Sequence, residues 1–389
     1  LKKEGLKAKH PVVFIPGIVT GGLELWEGKQ CADGLFRKRL WGGTFLCWVE
    51  HMSLDNETGL DPAGIRVRAV SGLVAADYFA PGYFVWAVLI ANLAHIGYEE
   101  KNMYMAAYDW RLSFQNTERD QTLSRMKSNI ELMVSTNGGK KAVIVPHSMG
   151  VLYFLHFMKW VEAPAPLGGG GGPDWCAKYI KAVMNIGGPF LGVPKAVAGL
   201  FSAEAKDMRM TRTWDSTMSM LPKGGDTIWG GLDWSPELPN APEMEIYSLY
   251  GVGIPTERAY VYKLNQSPDS CIPFQIFTSA HEEDEDSCLK AGVYNVDGDE
   301  TVPVLSAGYM CAKAWRGKTR FNPSGIKTYI REYNHSPPAN LLEGRGTQSG
   351  AHVDIMGNFA LIEDIMRVAA GGNGSDIGHD QVHSGIFEW

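Results

Sequence analysis

A serine at the apex of a tight turn is the feature that most constrains this chain. The apolar segment Ala142–Val145 is typical of a buried strand, the run Pro-His-Ser-Met-Gly follows it, and residues 149–158 can form a helix. This order is typical of the nucleophile elbow, in which a strained turn exposes a serine hydroxyl at the edge of an α/β sheet. Ser148 would then be a nucleophile; the alternative is that its side chain only caps the next helix.

A nucleophilic serine requires a base, and the base requires an orienting acid further along the chain. His352 is the best-placed histidine, because it follows the last predicted strand and precedes a closing helix. The acidic turn at 295–303 supplies the acid. We favour Asp299, whose backbone can be held by the Thr-Val-Pro segment after it, and Asp297 is the alternative. His147, beside the nucleophile, is interpreted as packing within the elbow, since adjacent side chains in a tight turn point apart.

The negative oxygen of a tetrahedral intermediate requires two preorganised N–H donors. The first should be the backbone of Met149, directly after the nucleophile, and the second that of Ile18, in the loop after the first strand. That loop has neither the Gly-x-Gly-x-x-Gly pattern nor a P-loop lysine, so phosphate binding is not predicted. The acidic turn lacks the ligand spacing of a calcium loop, and Cys47 with His51 lacks the second ligand pair of a zinc site. We therefore predict no metal and no organic cofactor.

Strand and helix patterns alternate along most of the chain. Apolar runs predict strands, and apolar spacing of three and four predicts helices; the strands are at 11–16, 103–108, 142–145, 180–186, 245–250 and 326–333, and the helices at 89–97, 122–134, 149–158 and 361–370. The alternation favours one α/β domain over residues 1–389, with a mostly parallel sheet covered on both faces. Residues 190–244, rich in Met, Trp and Pro, are interpreted as an inserted cap, and the glycine-rich residues 371–389 as a loose tail.

Composition and charge exclude several functional classes. With 45% hydrophobic and 20% charged residues, the 389-residue chain has the composition of a globular protein. The net charge is -7, and the longest basic run, Arg37-Lys38-Arg39, is too short for a nucleic-acid surface. No apolar run reaches the roughly 20 residues that span a bilayer; the nearest, at 80–94, is interrupted by Pro, Gly and Asn.

Cysteines and glycosylation sequons indicate an oxidising compartment. The six cysteines form no Cys-x-x-Cys pair, and sequons begin at Asn56, Asn265, Asn334 and Asn373, two of them followed by Pro. Disulfides persist mainly in secreted and lumenal proteins, where sequons are also used. These features together favour a lumenal or secreted protein.

Short motifs occur in a fixed order between Pro11 and Arg367. They are Val-Phe-Ile-Pro-Gly (13–17), Ala-Tyr-Asp-Trp-Arg-Leu (107–112), Pro-His-Ser-Met-Gly (146–150), Asn-Ile-Gly-Gly-Pro-Phe (185–190), Leu-Tyr-Gly-Val-Gly-Ile-Pro-Thr (249–256), Asp-Gly-Asp-Glu-Thr-Val-Pro (297–303) and His352. By these motifs the chain resembles the lecithin:cholesterol acyltransferase family, and most closely its plant branch that uses diacylglycerol. The resemblance implies an α/β-hydrolase fold, and the residues it assigns are a catalytic triad of Ser148, Asp299 and His352 with oxyanion donors at Ile18 and Met149.

The resemblance also implies a membrane-binding and lid loop inserted at residues 27–70. Within this insertion, a disulfide between Cys31 and Cys47 would close a short loop that contacts the membrane and lines the acyl site, and Trp41 and Phe45 of that short loop would face lipid. On their own, these two aromatics could equally be ordinary exposed side chains.

Further structural roles follow from the same resemblance. Asp109 and Arg111 match an ion pair of the family near the active site. The family's other disulfide would pair Cys311 with the residue at position 248, which is a serine here. A bridge between Cys271 and Cys288 is the predicted replacement. The sequence also departs from the family at Pro146, which stands where the wider family has glycine at the start of the elbow.

The implied activity is transfer of the sn-2 acyl group of a phospholipid to diacylglycerol through an acyl-serine, which yields triacylglycerol and lysophospholipid. Its partners would be a phospholipid donor, a diacylglycerol acceptor and a membrane surface. We expect the catalytic domain in the lumen of the endoplasmic reticulum, with any anchor outside this chain. The alternatives are a phospholipase A of the same fold, in which water takes the acyl group, and a catalytically silent lipid-binding module. The intact serine, acid and histidine argue against the silent module.

Overall fold

The computed structural model describes residues 5–40, 48–76, 78–80, 83–202, 236–264, 274–280, 288–338 and 346–389. The strands in chain order are β1 (Val12–Ile15), β2 (Leu23–Glu27), β3 (Arg66–Ala69), β4 (Tyr78–Ala80), β5 (Tyr83–Phe84), β6 (Met103–Met105), β7 (Ala142–Pro146), β8 (Ile180–Ile186), β9 (Glu245–Val252), β10 (Ile254–Tyr260), β11 (Tyr262–Leu264), β12 (Phe274–Ile276), β13 (Leu289–Lys290), β14 (Val293–Gly298) and β15 (Lys327–Asn334).

Helices separate most of the long strands. The α-helices are α1 (Trp48–Met52), α2 (Ala87–His95), α3 (Thr122–Thr136), α4 (Met149–Glu162), α5 (Trp175–Tyr179), α6 (Pro194–Ser202), α7 (Val304–Tyr309) and α8 (Phe359–Ala369). A π-helical segment, Met310–Ala314, continues α7, and short 3-10 helices lie at Gln30–Ala32, Leu73–Ala75, Asn116–Asp120 and Asp354–Gly357. Within these described residues, no helix combines the length and the apolar character needed to cross a bilayer.

A six-stranded parallel sheet forms the centre of the molecule, in the order β15-β9-β8-β7-β1-β6. The chain passes from β1 to β6 on one side and then crosses to β7 on the other. Ligands of such sheets bind beyond the carboxyl ends of the strands, at the point where the strand order reverses. Ser148 lies two residues beyond the end of β7, and the loop 17–22 follows β1, so both lie at this point.

Helices cover both faces of the sheet. Successive residues of β1 face opposite sides: Val13 belongs to the apolar core beneath α3 and α4, and Val12 to the core beneath α2 and α8. A strand buried on both faces explains why β1 and β7 are continuous apolar runs rather than alternating ones. The α/β-hydrolase fold expected from the sequence is confirmed.

The insertion predicted at 27–70 leaves the body and returns to it at neighbouring points. β2 pairs with β3 in antiparallel register, with Leu23 opposite Ala69. At the open end of this pair, Glu27 and Arg66 form an exposed ion pair of 3.0 Å. Of the cap predicted at 190–244, the structure describes residues 190–202, which include α6, and residues 236–244; the remainder lies outside the described residues.

The prediction of a loose tail at residues 371–389 is wrong. Gln381 donates its backbone N–H to Ile330 of β15 at 2.8 Å, and Ile386 is completely buried. The buried carboxylate of Glu332 accepts hydrogen bonds from the backbone N–H groups of His383 and Ser384. The glycine-rich composition gave no indication of this docking, because the acceptors belong to a strand some 50 residues earlier.

Candidate active site

Ser148 occupies a strained turn between β7 and α4. Its φ of 55° and ψ of -128° lie outside the regions that residues with a Cβ ordinarily adopt. The turn is held from both sides, because Ser148 donates its N–H to the carbonyl of Ile186 at 2.8 Å, and Gly150 donates its N–H to that of His147 at 2.9 Å. Such strain persists only where the surrounding structure enforces it, and it is concentrated at functional sites.

Two glycines give the elbow its space. A Cβ on Gly150 would lie 2.5 Å from the carbonyl oxygen of Ile15, so only glycine lets α4 begin this close to β1. A Cβ on Gly17 would lie 2.7 Å from the Cβ of Ser148 and 3.3 Å from its hydroxyl oxygen. The loop after β1 therefore passes directly beside the serine.

The side chains predicted to form a triad are brought together in one hydrogen-bonded chain. The Ser148 hydroxyl donates to His352 Nε2 at 2.8 Å, and His352 Nδ1 donates to Asp299 Oδ2 at 2.8 Å. The main chains are linked as well, since the His352 N–H donates to the Asp299 carbonyl at 2.9 Å. All three side chains are buried, with 8%, 5% and 1% of Ser148, His352 and Asp299 exposed. This geometry allows the imidazole to take the serine proton while the carboxylate fixes its orientation.

Asp299, rather than Asp297, contacts the histidine. The second carboxylate oxygen of Asp299 accepts the backbone N–H groups of Thr301 at 3.0 Å and Val302 at 2.6 Å. Asp297 is exposed, and its carboxylate accepts instead the N–H of Gly253 at 2.6 Å. The backbone after Asp299 therefore fixes the orientation of the carboxylate. The sequence indicated a rigid backbone at this position but not these hydrogen bonds.

The predicted oxyanion donors lie on the two segments that flank Ser148. Met149 is the first residue of α4, and Ile18 follows Gly17 in the loop beside the serine. The loop has a constrained conformation, because Val19 has a φ of 66° and the Trp110 indole donates a hydrogen bond to the carbonyl of Gly21 at 3.0 Å. Among the hydrogen bonds of the described residues, neither the Ile18 nor the Met149 N–H donates to a protein acceptor. Both amides are thus available to an anionic oxygen.

His147 reaches beyond the elbow in which it was expected only to pack. Its Nε2 lies 2.8 Å from the backbone carbonyl oxygen of His352, and the two imidazole centroids are 5.1 Å apart. The ring is completely buried, and it lies in a T-shaped arrangement with the Trp86 indole, with 6.3 Å between the ring centroids. No local sequence signal indicates this contact, because it joins residues more than 200 positions apart.

The predicted ion pair of Asp109 and Arg111 is the centre of a larger network. Both Nε and Nη2 of the completely buried Arg111 donate to the Asp109 carboxylate, at 2.9 and 2.6 Å, and Nη2 also donates to Asp61 at 2.8 Å. Burial opposes the charged guanidinium, but the carboxylates of Asp109 and Asp61 outweigh it and raise the pKa of Arg111. Arg111 Nη1 also donates to the carbonyls of His51 and Met52 at the end of α1. The sequence gave no indication of Asp61, which ties the insertion to the body.

The cysteine predictions have mixed outcomes. Cys31 is disulfide-bonded, as expected, but its predicted partner Cys47 lies outside the described residues, as do Trp41 and Phe45. Cys288 is a free, exposed thiol, which contradicts its predicted bridge to Cys271, and Cys271 itself lies outside the described residues. Cysteine spacing alone does not fix disulfide connectivity.

One cluster of potential metal ligands occurs in the described part of the chain. Ligand atoms of Cys31, Glu50 and His51 lie within 4.8 Å of one another. The sulfur of Cys31 is already in a disulfide, so it cannot supply the thiolate that a metal would require. His51 Nε2 accepts the backbone N–H of Lys29 at 3.0 Å.

Comparison with known proteins places this site in a family. The model of the lecithin:cholesterol acyltransferase family matches residues 35–238 and 236–359, which include Ser148, Asp299 and His352. The chain belongs to the lecithin:cholesterol acyltransferase family. Among its relatives, phospholipid:diacylglycerol acyltransferase 1 of Arabidopsis thaliana is 69% identical, over 100% of this chain and 84% of that protein.

Fungal members of the family are also similar. The phospholipid:diacylglycerol acyltransferase of Schizosaccharomyces pombe is 35% identical, over 95% of this chain and 74% of that protein. The Saccharomyces cerevisiae protein of the same name is 33% identical, over 100% of this chain and 74% of that protein. The resemblance to the lecithin:cholesterol acyltransferase family inferred from the motifs is therefore confirmed.

Proposed function

We propose that this protein transfers an acyl group from a phospholipid to diacylglycerol through an acyl-Ser148 intermediate. The observation that carries the proposal is the preformed chain of hydrogen bonds from Ser148 to His352 to Asp299. The relatives named phospholipid:diacylglycerol acyltransferase support both the donor and the acceptor.

In the first half-reaction, His352 Nε2 takes the Ser148 proton as the serine oxygen attacks the sn-2 ester carbonyl. The backbone N–H groups of Ile18 and Met149 stabilise the resulting oxyanion. Collapse of the intermediate breaks the ester bond, and His352 returns the proton to the departing lysophospholipid. Asp299 keeps the imidazole in the tautomer and orientation that both proton transfers require.

In the second half-reaction, the free hydroxyl of diacylglycerol replaces the serine. His352 takes the proton of that hydroxyl as its oxygen attacks the acyl carbonyl, and triacylglycerol leaves as Ser148 recovers its proton. Water at the same position would instead release a fatty acid, which is the phospholipase alternative. The names of the relatives favour diacylglycerol as the acceptor.

Contact with a membrane surface belongs to this proposal, because both substrates are lipids. On either side of Cys31 in the sequence, Trp26 and Phe36 form an edge-to-face pair with ring centroids 5.7 Å apart, and they are 42% and 62% exposed. The Arg37 guanidinium lies 5.7 Å from the Trp26 ring. Exposed aromatics with a neighbouring cation suit the interface between lipid headgroups and acyl chains. The disulfide at Cys31 supports a lumenal position of this domain at the endoplasmic reticulum.

The test measures the products formed from labelled phosphatidylcholine vesicles with and without diacylglycerol. We expect triacylglycerol to exceed free fatty acid at saturating diacylglycerol, and Ser148→Ala to abolish both products. Dominant fatty acid release under these conditions would establish the phospholipase alternative. More than about a tenth of wild-type turnover in the folded Ser148→Ala protein would remove the serine assignment, since loss of a triad nucleophile costs far more than that.

A further inference from the structure

We infer that His147 is a positioning residue that sets the contact between Ser148 and His352. The inference rests on the roles proposed for those two residues. His147 precedes the serine in the chain, and its side chain holds the main chain of the histidine. One residue therefore fixes both members of the proton-transferring pair.

The backbone of His147 is locked into the sheet. Its N–H donates to the carbonyl of Ile15 at 3.0 Å, and it forms a parallel bridge with Ile186. Because Ser148 follows directly, these bonds also determine where the serine oxygen lies. The β1 and β8 strands thus position the nucleophile through His147.

The side chain of His147 holds the other partner. A carbonyl oxygen can only accept, so Nε2 of His147 must carry the proton that it donates to the His352 carbonyl at 2.8 Å. The N–H of His352 is meanwhile bound to the Asp299 carbonyl at 2.9 Å. The peptide groups on both sides of the His352 Cα are therefore held, one by the acid residue and one by His147. Without the His147 donor, the buried His352 carbonyl would lack this bond and its loop could shift.

His147 must also remain neutral beside His352. Burial is the main cause that lowers the pKa of His147 to about 3, and the neighbouring imidazole of His352 lowers it further. Nδ1 of His147 is buried without a partner, which an unprotonated nitrogen tolerates better than an N–H. When His352 accepts the serine proton, its neighbour therefore carries no competing charge.

The experiment compares His147→Leu, which removes the donor, with His147→Gln, whose amide N–H can reach the position of Nε2. His156→Leu is the control, because His156 is a half-buried histidine on α4 whose Nε2 atom is buried, and it has no contact with the triad. The measurements are the rate at which a fluorophosphonate probe labels Ser148, and kcat and KM for phosphatidylcholine. Thermal unfolding checks that each variant is folded.

We expect His147→Leu to lower the labelling rate and kcat about 10- to 100-fold with little change in KM, as for a displaced base. His147→Gln should recover most of that loss, and His156→Leu should stay within about twofold of wild type, since it touches neither reacting group. Labelling of folded His147→Leu at the wild-type rate would overturn the inference. Equal losses in the Leu and Gln variants would also overturn it, since packing rather than the donated hydrogen bond would then be responsible.

Nitrogen-15 NMR of the histidines in the unaltered protein provides a test that needs no folded Leu variant. His147 should remain the neutral Nε2–H tautomer throughout pH 5 to 8, consistent with its lowered pKa. An Nδ1–H tautomer, or titration within that range, would contradict the inference. If the probe labels Ser148 normally but no triacylglycerol forms, the proposed transfer fails and the labelling rates still decide the role of His147.

Discussion

Asp297 and Asp299 lie two positions apart and have different hydrogen-bond partners. The same substitution at each therefore tests the role of a single carboxylate. Asp299→Asn replaces the carboxylate that receives the His352 N–H with an amide, which favours the wrong imidazole tautomer. We expect kcat to fall by about 10⁴-fold, the loss seen when a serine-hydrolase triad loses its carboxylate. Asp297→Asn, which affects only the hydrogen bond from the Gly253 N–H, should change kcat less than about tenfold, because it leaves the triad intact.

The measurement is steady-state acyl transfer, with circular dichroism to establish that both variants are folded. A larger loss in Asp297→Asn than in Asp299→Asn would reverse the assignment made from the structure. Asp299→Asn should affect protein stability much less than activity. The Asp299 carboxylate also accepts two backbone N–H groups. An asparagine oxygen can still accept those bonds, so the Asp299→Asn protein should remain folded.

The residues that the sequence identified are those whose function depends on local chain geometry. Ser148 is identified by its turn, and Asp299 and His352 by their positions after late strands. His147 and Asp61 were missed because their partners lie far away in sequence, and a single sequence carries no signal of such contacts. The Cys271–Cys288 bridge failed for a related reason, since connectivity depends on the folded positions of loops.

At the scale of elements, Asp61 links the insertion at 27–70 to the body. It accepts hydrogen bonds from Arg111 at 2.8 Å and Arg119 at 3.2 Å, and only 7% of its side chain is exposed. Asp61→Asn should lower the free energy of unfolding by about 2 kcal/mol, because the buried guanidinium loses a charged partner. Asp109 retains its own contacts with Arg111, so the Asp61→Asn protein should remain folded.

Glu27→Gln is the control for Asp61→Asn, because Glu27 forms an ion pair in the same insertion. The side chains of Glu27 and its partner Arg66 are each 51% exposed, and such surface pairs contribute about 0–1 kcal/mol. Urea unfolding measures both variants. Equal effects would mean that Asp61 does not anchor the insertion, since burial is the property that distinguishes the two pairs.

Elements predicted from their own periodicity agree closely with the structure. The apolar runs of β1, β7 and β8 and the amphipathic α3 are such elements. The antiparallel pair of β10 with β14 was not predicted, because the two strands are far apart in the sequence and are only partly buried. The docked tail was not predicted either, since its attachment depends on the buried carboxylate of Glu332 rather than on its own composition.

The whole molecule should lose stability in weak acid because it buries neutral histidines. Burial lowers the pKa of His147 to about 3 and that of His156 to about 4, from an ordinary value of 6.5. Below pH 6.5 these histidines therefore bind protons in the unfolded chain but not in the folded chain. Each such histidine should lower the unfolding free energy by about 1.4 kcal/mol per pH unit until its folded pKa is reached.

Between pH 7 and pH 5, these two histidines together should remove on the order of 4 kcal/mol. His10, whose pKa burial also lowers to about 4, should add less because it is only partly buried. Burial raises the pKa of the Glu162 and Asp364 carboxyls, and these groups act in the opposite sense. Urea unfolding at pH 7, 6 and 5 measures the slope, and the double variant His10→Gln/His156→Gln should flatten it. An unchanged slope in that variant would show that other groups control the acid sensitivity, because both substituted side chains no longer titrate.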